Sequence, residues 1–176
     1  ECALLADGVA PDKLYPLDVD RALRKIEELM PHVVTHWSTG AESQQLLRDG
    51  EASMGQMWHT RAELVKHDTG GAVDWTFDNA IVAPSVWFVP KNNPAGAANA
   101  MKFIAYALRL EVQAKLMEVY NMGPVDAKVN ALLSPELQRI NPTAPDNLAK
   151  QVSMNNLWYA DHYGETLERY LALIGG

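Results

Sequence analysis

The side chains from which chemistry could be built are five histidines, one cysteine, five tryptophans and several paired acids. His32 and His36 lie four apart, a spacing that binds zinc when both sit on a helix. Here they belong to the β-branched run His32-Val33-Val34-Thr35-His36-Trp37, which reads as a strand. Four residues along a strand span roughly 13 Å, too far for one metal ion. His59 and His67 are eight apart, and neither has a flanking ligand pattern. Cys2 is the only cysteine, so it forms no internal disulfide, and it reads as a small buried apolar residue. The pairs Glu27-Glu28, Asp18/Asp20 and Asp74/Asp78 read as solvated faces. There is no Gly-rich phosphate loop, no Gly-x-Ser-x-Gly elbow and no Cys-x-x-Cys pair. No catalytic constellation assembles, and neither a metal nor a cofactor is implied.

The tryptophans carry more information. Trp37 and Trp58 each end an expected strand, immediately before an expected helix start. In open α/β sheets, ligands bind in the crevice outside such strand ends. Ser38, Thr39 and Thr60 add hydroxyls where helix N–H groups are free. An indole there can stack on an apolar or cationic ligand, or pack as an ordinary rim residue. Trp75 and Trp87 fall inside expected strands and read as core, whereas Trp158 and Tyr159 open the last helix.

The elements that position these residues follow from periodicity. Val19, Ala22, Leu23, Ile26, Leu29 and Met30 fall on one face of a helix over about 17–30, with Asp18 as N-cap and Pro31 as stop. Strands are expected over 32–37, 53–58 and 73–77, with helices over about 41–48 and 60–67, the latter capped by Thr60. Residues 80–89 form an extended stretch broken by Pro84, which marks an edge, a bend or a crossing. Helices are expected over 95–108 and 111–120, briefly from Ser134 and over 147–152, and finally over 156–174. Strand and helix alternate with short connections, which argues for an α/β class with parallel or mixed sheet covered by helices.

Composition agrees with a globular chain: 176 residues, 48% hydrophobic and 21% charged, with a net charge of -7. No basic stripe is present to attract nucleic acid, and no apolar run approaches the roughly 18 residues of a membrane span. Residues 1–78 hold 7 basic and 14 acidic side chains, and residues 79–176 hold 8 of each. That break suggests two structural units. The opening Glu1-Cys2-Ala3-Leu4-Leu5 reads like the middle of a helix, so the chain is expected to be a piece of something longer.

A set of motifs follows in order: Glu51-Ala-Ser-Met-Gly-Gln-Met-Trp58, Ala80-Ile-Val-Ala-Pro-Ser-Val-Trp-Phe-Val-Pro90, Ala97-Ala-Asn-Ala-Met-Lys-Phe-Ile-Ala-Tyr106, Met122-Gly-Pro124 and Leu132-Leu-Ser-Pro-Glu136, then an aromatic-rich last helix. With that order the chain resembles the spermidine/putrescine-type periplasmic solute-binding proteins of bacterial ABC transporters, over nearly its whole length. The resemblance implies a periplasmic-binding-protein type II-like α/β fold, two lobes with mixed sheets covered by helices, incomplete in this chain. Residues 1–82 would be the later part of the second lobe. Residues 83–176 would return across the hinge and complete the first. Partners implied are a small-molecule solute held between the lobes, the membrane permease, and the missing amino-terminal half of the same protein, with no nucleic acid. Hinge closure on the solute would create the state that the permease recognises.

The resemblance also implies roles. Trp58 matches the tryptophan that stacks on the ligand's methylene chain. Ala83 and Ser85 stand where polyamine binders carry a tryptophan and an amine-pairing aspartate, and Met122 stands at about the place of a further aromatic. Tyr159 lies near a polar ligand contact. Ser85 and Ser38 would donate hydrogen bonds, Trp37 would line the site, and helix N-termini would favour a carboxylate. Without the aspartate a buried amine would lose its partner, at a cost on the order of several kcal/mol, so the solute is expected to be less cationic or to have its charge read by the missing half. Two rival readings are a ligand-sensing domain of a transcriptional regulator and an enzyme on a similar scaffold. The first needs a helix-turn-helix that the sequence does not display. The second has only His36, His59 and Cys2 to draw on. A third reading, that this piece has no function alone, expects exposed sheet edges to drive self-association.

Overall fold

A computed structural model describes residues 1–175. In chain order the helices are α1 Cys2–Ala6, α2 Val19–Leu29, α3 Gly40–Arg48, α4 His59–Asp68, α5 Ala97–Ala107, α6 Leu110–Tyr120, α7 Pro135–Ile140, α8 Pro145–Leu148 and α9 Asn156–Ile174. The strands are β1 Ile81–Val82 and β2 Val152–Ser153, paired in parallel with Ile81 opposite Val152. Short polar side chains start several helices by accepting free N–H groups. Asp18 accepts from Arg21 N at 2.9 Å, Thr39 from Glu42 N at 3.2 Å, and Ser134 from Leu137 N at 3.3 Å. Asn155 accepts from both Leu157 N and Trp158 N at 3.1 Å.

The chain forms two compact units and passes between them at 38/39, 77/78, 83/84 and 150/151. The first unit holds residues 1–38, 78–83 and 151 onward. Its core is Leu4, Leu14 and Val152, joined by Leu5, Val9, Leu17, Ala22 and Ile81. Thus α1, α2 and the β1–β2 pair share one apolar centre. Arg21 ties α2 back to Asp7, with Nη2 donating to the Asp7 carbonyl at 2.8 Å and Nε to its carboxylate at 2.5 Å. Arg169 of α9 pairs with Asp20 of α2.

The second unit holds residues 39–77 and 84–150. In its core, Met117, Val129, Leu133 and Ile140 are buried, with Trp75, Leu110, Ala114 and Leu137 packed around them. Polar side chains inside it are all satisfied locally, as burial demands. Asn141, 1% exposed, donates to Asn130 Oδ1 at 3.1 Å and accepts from Thr143 N at 3.0 Å. Gln113 donates to the Leu108 carbonyl at 2.7 Å and accepts from Val125 N at 2.9 Å. Helix α3 packs on α4, which buries Ala62 and Val65 three residues apart.

Several local expectations are corrected. Residues 32–37, 53–58 and 73–77 are not strands: Met30–His32 is a 3-10 turn and the rest is irregular. A strand exists only through a hydrogen-bonded neighbour, and among the described residues only β1 and β2 supply one another with that. Helix α4 begins at His59 with Trp58 as its N-cap residue, so Thr60 lies inside the helix and does not cap it. The short helix expected over 147–152 is instead α8, and Val152 belongs to β2. Cys2 is exposed rather than buried, because it opens α1 on the side away from Leu4. Trp87 is 58% exposed and is not core.

Candidate functional site

The residues singled out from sequence divide between the two units. Trp58 and Ser85 belong to the second; Trp37, Ser38 and Tyr159 belong to the first. Neither unit gathers all five.

Trp58 is extended (φ -66, ψ 132) and hands the chain to α4 while leaving 57% of its surface exposed. Its ring lies on Gly40, the buried first residue of α3. The next residue, His59, is tied down: Nε2 lies 2.8 Å from the Asn121 carbonyl. A carbonyl only accepts, so Nε2 is the protonated nitrogen. Burial pushes the His59 pKa below its ordinary value, against the opposing pull of the Asn121 carbonyl and of Glu63. The imidazole is therefore neutral at pH 7, packed against Phe77 at 5.9 Å and Trp75 at 6.3 Å between ring centroids. Trp75 is fixed in turn by its indole N–H, which donates to Glu63 at 2.8 Å. Asn121 is a left-handed residue (φ 55) that ends α6. Next door Gly123 sits where a Cβ would come within 2.4 Å of Pro142 Cγ. Arg61, one turn into α4, donates to Gln44 Oε1 at 2.9 Å.

Ser85 is exposed in the irregular segment that follows β1. Beside it Val86, Trp87 and Phe88 are exposed as well, and Trp87 meets the edge of Phe103 on α5, at 5.4 Å between centroids.

In the first unit Trp37 is half-buried and Ser38 exposed. Tyr159 is half-buried, and its hydroxyl donates to Glu1 Oε2 at 2.7 Å. Tyr15 donates to the other Glu1 oxygen and accepts from the Asn155 N–H at 3.0 Å. Burial, and then the Glu1 carboxylate, push the Tyr15 pKa up to about 12 and that of Tyr159 further still. Trp158 packs tilted against Tyr15 and stacks on His162 at 4.5 Å. The Tyr159 hydroxyl thus has an internal acceptor already. Sequence reasoning missed this acidic–aromatic cluster because its members lie up to 158 residues apart. It also missed Gly40, whose signal was faint: a glycine directly after a helix-capping threonine.

Among the described residues no group of three His, Cys, Asp or Glu could hold a metal ion. His36 faces Tyr170 edge-on, with Nδ1 3.4 Å from its hydroxyl. None of the described helices is long and apolar enough to cross a membrane.

Comparison with known proteins places this geometry. Residues 1–145 match the family described as bacterial extracellular solute-binding protein. The chain is similar to a gamma-aminobutyric acid-binding protein of Pseudomonas aeruginosa, at 35% identity over 96% of this chain and 48% of that one. It is similar to the spermidine/putrescine-binding periplasmic protein of Escherichia coli, at 25% identity over 92% and 45%. Among solved structures it superposes on an ABC transporter substrate-binding protein from Bradyrhizobium japonicum with a TM-score of 0.89 and 38% identity, covering 98% of this chain and 54% of that one. The chain therefore spans about half the length of the relatives it matches.

Proposed function

The chain belongs to the bacterial extracellular solute-binding protein family, and on that premise we propose that the protein of which it is part captures a small amine-bearing solute in the periplasm and delivers it to the membrane permease of an ABC importer. The observation that carries the reading is Trp58: an exposed indole on a fixed backbone, offering an apolar face for a chain of methylenes. Both named relatives bind such solutes, gamma-aminobutyric acid in one and spermidine or putrescine in the other. Ser85 favours the first kind. A serine at this place donates and accepts hydrogen bonds but brings no charge to a second ammonium, so a zwitterionic ω-amino acid suits it better than a diamine. Ser38, Trp37 and Tyr159 are proposed as further contacts. Binding stabilises the closed state and no bond of the solute changes, so the protein is not an enzyme.

The relatives are solute-binding proteins, which supports capture over a sensing domain or an enzyme. The remaining half of the same protein is proposed as a structural partner. Helix α5 is apolar yet buries no residue, and Met101, Phe103 and Tyr106 stay exposed beside Trp87 and Phe88.

The test is a thermal-shift screen of the full-length protein against γ-aminobutyrate, putrescine, spermidine, glutamate and glucose. Ligand at 100 times its Kd adds about 2.7 kcal/mol, which reads as a rise of several degrees. A rise with γ-aminobutyrate that Trp58→Ala abolishes is expected. A rise with glucose alone would overturn the reading.

A further inference from the structure

Gly40 is buried at the first position of α3, and its backbone is not in the left-handed region that calls for glycine. Glycine is a poor helix residue, so the position must gain something else from it. What it gains is space. A Cβ there would stand 3.0 Å from Trp58 Cζ3, 3.1 Å from Trp58 Cε3 and 2.9 Å from Arg61 Nε. The benzenoid edge of the indole occupies the place of the absent methyl group. On the chain side, His59 anchors the peptide that follows Trp58 through its 2.8 Å bond to the Asn121 carbonyl, with its ring held against Trp75 and Phe77.

We propose that Gly40 and His59 are positioning residues that set the orientation of the Trp58 indole, Gly40 as the seat beneath the ring and His59 as the anchor of its backbone. The inference rests on the reading of Trp58 as a solute contact. Their roles separate by mechanism. Filling the seat pushes the ring off α3 toward the solvent in which it is already half exposed, and Arg61 cannot yield fully because it is held by Gln44. Cutting the anchor loosens the start of α4, where the Trp58 carbonyl accepts from Arg61 N at 2.8 Å and Ala62 N at 3.0 Å, and leaves the seat at Gly40 unchanged. In either case the indole loses its fixed pose, and a stacking contact is only as good as the pose that presents it.

The experiment uses the full-length protein with 5-fluorotryptophan, whose Trp58 resonance is identified by its loss in Trp58→Phe. Three variants are compared with the parent: Gly40→Ala, His59→Phe (which keeps a ring but removes the donor) and Trp58→Ala. The readouts are the Trp58 fluorine resonance without solute, the Kd for γ-aminobutyrate and for putrescine by calorimetry, and Tm. Gly40→Ala is expected to shift the resonance and weaken γ-aminobutyrate binding about tenfold or more, with only a small fall in Tm because the helix-propensity gain of alanine offsets part of the crowding. A merely structural glycine would not give that combination. His59→Phe is expected to broaden the resonance and weaken binding with the same probe. An unmoved resonance, or a moved one with unchanged Kd, in Gly40→Ala overturns the inference alone. If Trp58→Ala binds as the parent does, or the parent binds neither probe, the underlying reading of Trp58 falls and takes the inference with it.

Discussion

Glu1 shows how a single carboxylate can organise residues that the sequence keeps far apart. Both of its oxygens accept phenolic protons, one from Tyr15 and one from Tyr159. Those bonds exist only while the phenols are protonated, and together with burial, the larger cause, they raise both pKa values. Below pH 10 each tyrosine is protonated in the folded and the unfolded chain alike, and the full stabilisation is present. Above pH 10 the unfolded tyrosine releases its proton first, so stability falls as pH climbs toward about 12, the folded value for Tyr15. Thermal unfolding followed between pH 8 and 11.5 is expected to show a falling Tm above pH 10, with a shallower fall in Tyr15→Phe. A parallel decline in parent and variant would contradict this. None of this was legible in sequence, because hydrogen-bonded side chains so distant in the chain leave no spacing pattern. The prominence of Trp58 was legible, since an aromatic directly before a helix start stands out; the Gly40 seat beneath it was not, since one glycine in a turn looks like any other.

Most helices were legible, whereas of the strands only β1 fell within an expected extended stretch, and the reason is the range of the signals. Asp18, Thr39 and Ser134-Pro135 act within three or four residues, so the starts of α2, α3 and α7 can be read from a short window. A strand's signal lies in another segment. The run His32–Trp37 has strand-like residues, yet apart from its 3-10 start it is irregular, because no backbone pairs with it among the described residues. The α/β class nonetheless holds, as the superposition on the substrate-binding protein indicates. Helix α9 illustrates how far local signals carry an element. It runs nineteen residues and buries none of them fully, so its cap matters more than for a core helix. Asn155→Ala removes the acceptor for two N–H groups and is expected to cost about 1 kcal/mol, read from urea unfolding at constant m-value. No measurable loss would mean that the ion pair to Asp20 and the Tyr159–Glu1 bond hold the helix unaided.

The molecule as a whole is a pair of units built from interleaved segments, and that plan governs its behaviour outside the longer protein. The passages at 38/39 and 150/151 leave no mark in composition, so sequence reading had no means to find them. Large apolar side chains from Val86 to Phe88 and along α5 remain exposed. The isolated chain is expected to bind an apolar dye and to self-associate at micromolar concentration, and both properties are expected to disappear when the other half of the protein is supplied in trans; sedimentation velocity with dye fluorescence checks this. A monodisperse, dye-silent chain would contradict it. The order of segments also has a consequence for synthesis. Leu4 and Leu14 must wait for Val152, which a ribosome reaches more than a hundred residues later, on the order of ten seconds. During that interval the Met117–Val129–Leu133–Ile140 core of the second unit can close while α1 and α2 stay open to chaperones and proteases. A product cut short after Lys150 would carry the second unit's segments beside a first unit that lacks Val152 and α9, so protein quality control should recognise it by the uncovered apolar faces of α1 and α2.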